Sequence, residues 1–340
     1  MNSLRAEQRQ AATPDETGRG ARRARRAGAL PDLGMIGVFV VLFVGCSVFV
    51  PFFFAWPNMI GLGLSVSMVG MVACTMLFCL ASGDFDLSVE SVVACAGVLA
   101  ALVVNATGSI SLGIGCGILA GGLVGLVNGL VIAKLHINAL ITTLATMQIA
   151  RGLGFIVSDG RAVGIAHSGF FVLGTGKLAD VPIPIWITIA CFLVFAFLLN
   201  RTVFGRNTLA VGGNREAARL AGVAVDRVKT VIFALQGLMA GFAGVVLASR
   251  MTSGQPNTSF GFSLDVISAC VLGGVSLSGG VGTVTGVIVG VLIMGTVQNA
   301  MNLLNVPSFY QYVARGLILL GAVAFDQLKH RHEGGNVLHT

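Results

Sequence analysis

Three stretches of the chain carry no charged residue: Leu33 to Gly83, Ser91 to Ala133 and Val266 to Ala314. Apolar positions fill them without the polar face that a surface helix presents. Each is long enough for about two bilayer crossings at roughly 20 residues per helix. Turn-forming residues divide the chain at Pro51 and Pro57, Gly83-Asp84, Asn105 to Gly108, Pro182 and Pro184, Gly254 to Pro256, Gly279-Gly280 and Pro307. The pattern predicts an all-α polytopic membrane protein with about ten transmembrane helices. They fall near 33–52, 58–81, 87–105, 110–132, 138–157, 183–200, 228–249, 263–277, 282–303 and 309–327.

Composition agrees. Of 340 residues, 55% are hydrophobic and 10% charged, against roughly 25% charged in a soluble domain; mean hydropathy is +0.89. The net charge of +7 would suit nucleic acid, but its basic residues gather at the ends and in one loop, as the positive-inside rule describes. Residues 1–30, with Arg5, Arg9, Arg19, Arg22, Arg23, Arg25 and Arg26, show no apolar periodicity and read as a disordered basic cytoplasmic tail. The apolar run after them is too long for a signal peptide and reads as an uncleaved anchor. Residues 31–328 form the transmembrane domain, and 329–340 a second cytoplasmic tail. The 201–229 loop holds Arg201, Arg206, Arg215, Arg219, Arg227 and Lys229 against Glu216 and Asp226, which puts it in the cytoplasm. The 158–182 loop balances Arg161 and Lys177 with Asp159 and Asp180, which makes it periplasmic. Both termini then face the cytoplasm.

Metal, redox and catalytic chemistry find no support. The seven cysteines lie in apolar segments without a CxxC spacing, and His330 and His332 define no functional metal site. No Ser/His/Asp order, HExxH or paired acids stands out, and no GxxxxGK[ST] cradles a nucleotide. Gly174-Thr-Gly-Lys177 lacks the leading glycine, and Leu277-Ser-Gly-Gly280 reads as a glycine turn. The chain is expected to be no enzyme and to hold no cofactor; any ATP and Mg are a partner's.

The two halves repeat weakly. Glu90-Ser-Val-Val-Ala-Cys95 matches Asp265-Val-Ile-Ser-Ala-Cys270, and Ile149-Ala-Arg-Gly-Leu153 matches Val313-Ala-Arg-Gly-Leu317. Gly113, Gly117, Gly121, Gly125 and Gly129 match Gly282, Gly286 and Gly290. Each match is five helices apart, so the halves point opposite ways across the membrane. The glycine ladders read as helix-packing stripes, with a deformable pathway lining as the alternative. Arg151 and Arg315 lie inside helices at a cost of about 2.5–3.5 kcal/mol each on insertion scales; each satisfies carbonyls or acids, or else snorkels. Asp84, Asp86, Glu90 and Asp265 flank or open helices, and for Glu90 and Asp265 the helix dipole favours a capping role.

One loop has the marks of a partner site. In Asn214-Arg215-Glu216-Ala217-Ala218-Arg219-Leu220-Ala221-Gly222, Asn214 is a good N-cap and Gly222 a good terminator. Ala217, Leu220 and Ala221 form an apolar stripe, with Arg215 and Arg219 on another face. So short a helix is marginal alone in water, so it is expected to dock on a partner or lie on the membrane surface.

The segment from Gly205-Arg206 through the Ala210-to-Gly222 pattern resembles the coupling loop of sugar-importing ABC permeases, as Gly83-Asp-Phe-Asp-Leu-Ser88 resembles another segment of theirs. The chain is similar to this ribose/arabinose-type permease family from Gly34 to Phe325, and most to its L-arabinose branch. Phe78 to Leu87, Ile137 to Met147 and Ala248 to Pro256 carry that likeness. The resemblance implies two inverted five-helix halves of the vitamin B12-importer permease type, in an inner-membrane homodimer. It also implies a cytoplasmic ATPase with two nucleotide-binding domains, contacted by Asn214 to Gly222, and a periplasmic sugar-binding protein. Two alternatives stand beside it: a permease for another sugar or for branched-chain amino acids, and an ion-coupled carrier. The carrier would want a titratable carboxylate deep in the bundle, whereas the acids gather at helix ends.

Overall fold

The computed structural model describes residues 34–335. The expected N-terminal tail, and the last five residues of the C-terminal one, lie outside them. The fold is helical: α1 (Gly34–Phe49), α2 (Trp56–Ala81), α3 (Val89–Thr107), α4 (Ile110–Lys134), α5 (Ala139–Val157), α6 (Val172–Thr175), α7 (Ile183–Arg201), α8 (Val203–Gly213), α9 (Arg215–Leu220), α10 (Val225–Met251), α11 (Phe262–Leu272), α12 (Val284–Leu303) and α13 (Ser308–Gly335). Seven of them (α2, α3, α4, α5, α7, α10 and α12) are long and apolar enough to cross a membrane; α1 and α11 are apolar but shorter. The protein is a polytopic all-α membrane protein.

Burial sorts the helices into layers. In α2, 83% of the most apolar stretch is buried, and in α3 and α10 61%, against 22% in α4, α5 and α7. The centre is therefore α2, α3 and α10, where Met71, Leu77, Phe78, Val93, Ile232 and Val246 pack together. The outer helices turn Leu119, Leu123, Ile141, Ile156, Leu193 and Phe197 outward, a surface that only hydrocarbon or another subunit can cover.

Glycine sets how closely these layers approach. A Cβ on Gly121 would strike the Gly237 carbonyl, and one on Gly125 the Phe233 carbonyl, both on α10. One on Gly117 would come within 2.9 Å of the Ala96 carbonyl of α3. In the other half, Gly286 and Gly290 of α12 lie against the Gly273 and Ala269 carbonyls at the end of α11. These five glycines thus lie at helix–helix contacts.

Two elements depart from the sequence reading. The 201–229 stretch contains a second helix, α8, capped by Thr202, whose Oγ1 accepts from Gly205 N. The crossing expected over 263–277 is broken: α11 stops at Leu272, where Gly274 at φ +83° turns the chain and Val275 N donates back to Cys270 O. Its 11 residues span about 16 Å, half of a hydrocarbon core near 30 Å. The chain before α11 is irregular, with turns at Pro256-Asn257 and Phe260-Gly261. Strand β2 (Ser253–Gly254) pairs antiparallel with β1 (Val163–Gly164) in the 158–182 loop. A Cβ on Gly254 would lie 2.6 Å from Val98 Cα in mid-α3, while Gly261 N bonds to Glu90 in α3's first turn. Eight helical residues separate Val98 from Glu90, so residues 255–261 descend about 12 Å along α3. In addition, α13 runs on to Gly335, past the expected end at 327.

The packing predicts that Gly121→Val destabilises the protein by about 1–3 kcal/mol through overpacking. Gly115→Val, with nothing within 4 Å of the new Cβ, is expected to be tolerated. Thermal unfolding of both variants in detergent checks this; equal melting temperatures would contradict it.

Candidate coupling surface and buried charge network

Helix α9 starts at Asn214, whose Oδ1 accepts from Ala217 N at 2.9 Å. It ends where Gly222, at φ +85°, lets Val223 N donate back to Ala218 O. The short helix is held to its own chain by Ala218, which is 5% exposed in the core. Ala217 and Ala221 are exposed, and Leu220 is 86% exposed. The stripe read from the sequence is thus an uncovered apolar face within this chain, and Ala218, outside that stripe, is the anchor. Arg215 pairs with Asp226 at 3.7 Å, both half-exposed, and Glu216 and Arg219 are exposed. Beside α9, the end of α8 is wedged into the core: Gly212 lies against the Ala81 carbonyl and 2.6 Å, measured from an added Cβ, from Gly280 N, and Gly280 N donates to Ala81 O.

Five residues beyond α9, α10 begins, and one turn inside it Lys229 is buried. Its Nζ lies 2.7 Å from Asp84 Oδ2 in the turn between α2 and α3. In the same turn Asp86 Oδ1 accepts from Ser88 N at 2.9 Å and Ser88 Oγ at 2.6 Å. Asn128 Nδ2 on α4 donates to Ser88 Oγ. Burial pushes the Asp86 carboxyl up to about 6, against the two bonds from Ser88.

Arg151, buried, and Arg315, partly buried, take the acids of their own motif copies. Arg151 Nη2 lies 3.6 Å from Glu90 Oε1, and Arg315 Nη1 lies 3.0 Å from Asp265 Oδ2. Arg151 also donates to Pro256 O at 2.9 Å and Thr258 O at 2.7 Å, and its guanidinium stacks on Phe260 at 4.4 Å. Glu90 and Asp265 do stand in first turns, where capping of their own helices was expected. Glu90 Oε2 instead accepts from Gly261 N and Ser263 Oγ at the start of α11. Asp265 has Arg315 as its partner, which in turn lies 5.6 Å from the Tyr312 ring.

Sequence reasoning missed Lys229, Asn128 and the carbonyls of Pro256 and Thr258. Lys229 counts as one more basic residue of a basic loop; its position inside the apolar run that opens at Val228 was the available signal. Among the described residues, no group of three or more His, Cys, Asp or Glu could hold a metal ion.

Removing one partner from a buried pair costs about 3–5 kcal/mol, because the other charge is left uncompensated. Arg151→Leu also strips two carbonyls of their donor, so it is expected to melt well below Arg315→Leu, whose pair is more exposed, at 24% and 18% against 10% and 12%. Melting of both in detergent decides; a larger loss for Arg315→Leu would overturn the ranking.

The family described as Branched-chain amino acid transport system / permease component matches residues 58–323, which include every residue of these networks. The L-arabinose transport system permease protein AraH of Escherichia coli (strain K12) is 64% identical over 298 residues, 88% of this chain and 91% of its own length. The L-arabinose ABC transporter permease protein AraH of Azospirillum brasilense is 59% identical over 296 residues, 87% of each chain. The Ribose import permease protein RbsC of Bacillus subtilis (strain 168) is 39% identical over 305 residues, 89% of this chain and 94% of its own. No solved structure matches the chain significantly. With three quarters of its length inside the family match, and with relatives of this identity over 87–89% of it, the chain belongs to the branched-chain amino acid transport system permease family, as a pore-forming and not a catalytic subunit of an ABC transporter.

Proposed function

We propose that the chain is the permease subunit of an ATP-driven importer that carries a monosaccharide, L-arabinose, across the inner membrane. The observation that carries this is the 64% identity to a permease named for L-arabinose over 88% of the chain, against 39% to one named for ribose. Both relatives are named for sugars, which favours a sugar over the branched-chain amino acids of the family description. Ten crossings in two inverted halves would put both termini and the 201–229 loop in the cytoplasm and the 158–182 loop in the periplasm. The exposed face of α9, Ala217, Leu220 and Ala221, supports a cytoplasmic ATPase contact, with Arg215, Glu216 and Arg219 at its rim. That ATPase, with two nucleotide-binding domains, holds ATP and Mg. A second copy of this chain covers part of the outward apolar surface, and a periplasmic binding protein delivers the sugar. Asp84, Asp86, Glu90, Arg151, Asp265 and Arg315 shape the pathway from behind.

The reconstituted complex is expected to take up labelled L-arabinose in proteoliposomes only with ATP and binding protein, and in preference to ribose. ATP-independent uptake would favour a carrier instead. Ala217 is exposed in the isolated chain, so Ala217→Trp leaves the permease folded. At a covered face, however, overpacking costs roughly 1–3 kcal/mol. Ala217→Trp is expected to weaken ATPase pull-down or uncouple hydrolysis from uptake, and Glu216→Gln, as a rim charge, to do much less. An unchanged Ala217→Trp complex would remove α9 from the contact. Reporter fusions at Arg219 and Lys329 are expected to read cytoplasm and one at Lys177 periplasm; a cytoplasmic signal at Lys177 would break the ten-crossing topology.

A further inference from the structure

The base of α10 and the start of α11 are joined by buried charge. Lys229 stands nine residues beyond Leu220, and its ion pair with Asp84 is 7% and 11% exposed. Asp84 belongs to the turn that leads into α3, and six residues further on Glu90 grips Gly261 N and Ser263 Oγ. The turn between them is braced by the Asp86–Ser88–Asn128 chain. On its other side, Gly280 N bonds Ala81 O next to the end of α8. One short, stiff length of chain therefore links a cation at the root of the coupling loop to the carboxylate that holds the broken crossing.

Stability alone does not account for such a pair, since apolar residues of similar volume often serve as well as a buried ion pair or better. What the charges add is stiffness. In a low-dielectric setting pulling the two charges apart costs energy steeply, so Asp84 must follow Lys229, whereas apolar side chains would slide.

We propose that Lys229 and Asp84 are positioning residues of the transport cycle. Displacement of α9 by the ATPase shifts the base of α10, and the ion pair carries that shift through residues 84–90 to Glu90. Glu90 and Arg151 then hold or release residues 255–261, whose Gln255 and Thr258 line a small cavity with Val93, Ala94 and Gly97 of α3, and passage of the sugar follows their position. The proposal rests on the reading of α9 as the ATPase contact.

The test uses the whole importer in proteoliposomes and reads labelled L-arabinose taken up per ATP hydrolysed. If the unaltered complex fails to transport, the proposed function fails; the variants address the ion pair. Lys229→Met/Asp84→Asn removes both charges at once and avoids an unpaired one. It is expected to assemble, bind the ATPase and hydrolyse ATP like the parent while uptake per ATP falls about tenfold, within the usual 5–150-fold range of coupling effects. Lys229→Arg, which keeps the charge, is expected to stay near the parent ratio. A parent-like ratio in the double variant overturns the proposal, as does its failure to assemble, which would give the pair a structural role. A low ratio in a well-assembled Lys229→Arg complex overturns it too.

Discussion

Hydrocarbon offers no hydrogen bonds, so every backbone N–H and C=O at membrane depth must find its partner inside the protein. Continuous helices meet this demand locally. Residues 255–261 do not, and side chains answer for them: Arg151 donates to Pro256 O and Thr258 O, and Glu90 accepts from Gly261 N. Pro256 has no N–H of its own, which removes one donor from the demand. The arginine's cost in the membrane interior is offset by work that an apolar residue could not do.

The same solvent removes the hydrophobic drive between helices, leaving dispersion and close backbone approach. The α4–α10 contact at Gly121, Gly125 and Gly237 is built from missing side chains. The structure therefore joins two kinds of contact. Glycine seams fit the helices side by side, and buried charged side chains tie the chain halves across them: the ion pair of Lys229 with Asp84 in one direction, and the hydrogen bonds of Arg151 and Glu90 with residues 256–263 in the other. The repeat-related pair Arg315–Asp265 stays within the second half. The motif is duplicated, but the connection it makes is not.

Much of this was legible in the sequence because hydrophobic length is a direct physical signal. The seven helices long enough to cross a membrane follow the apolar runs to within a few residues, and the end signals at Asn214 and Gly222 frame α9. The matched Arg-Gly-Leu contexts singled out Arg151 and Arg315. Three features were not legible. Helix α8 carries Gly205, Gly212 and Gly213, poor helix formers, and its end is held where Gly212 fits against Ala81 and Gly280, a tertiary contact. The break at Gly273-Gly274 lies within residues apolar enough to read as one helix. An acid in a first turn looks the same whether it caps its own helix or reaches, as Glu90 does, to the start of another.

The shortness of α11 also bears on how the chain is made. Eleven residues fall well short of the roughly 20 that partition into a bilayer unaided, and the polar stretch before them is worse. This segment cannot enter the membrane as an independent unit; it needs a groove with its donors already in place. Synthesis runs from the N-terminus, so α3 with Glu90 and α5 with Arg151 emerge about a hundred residues or more ahead of Pro256. This segment thus threads into a template that the earlier half has laid down.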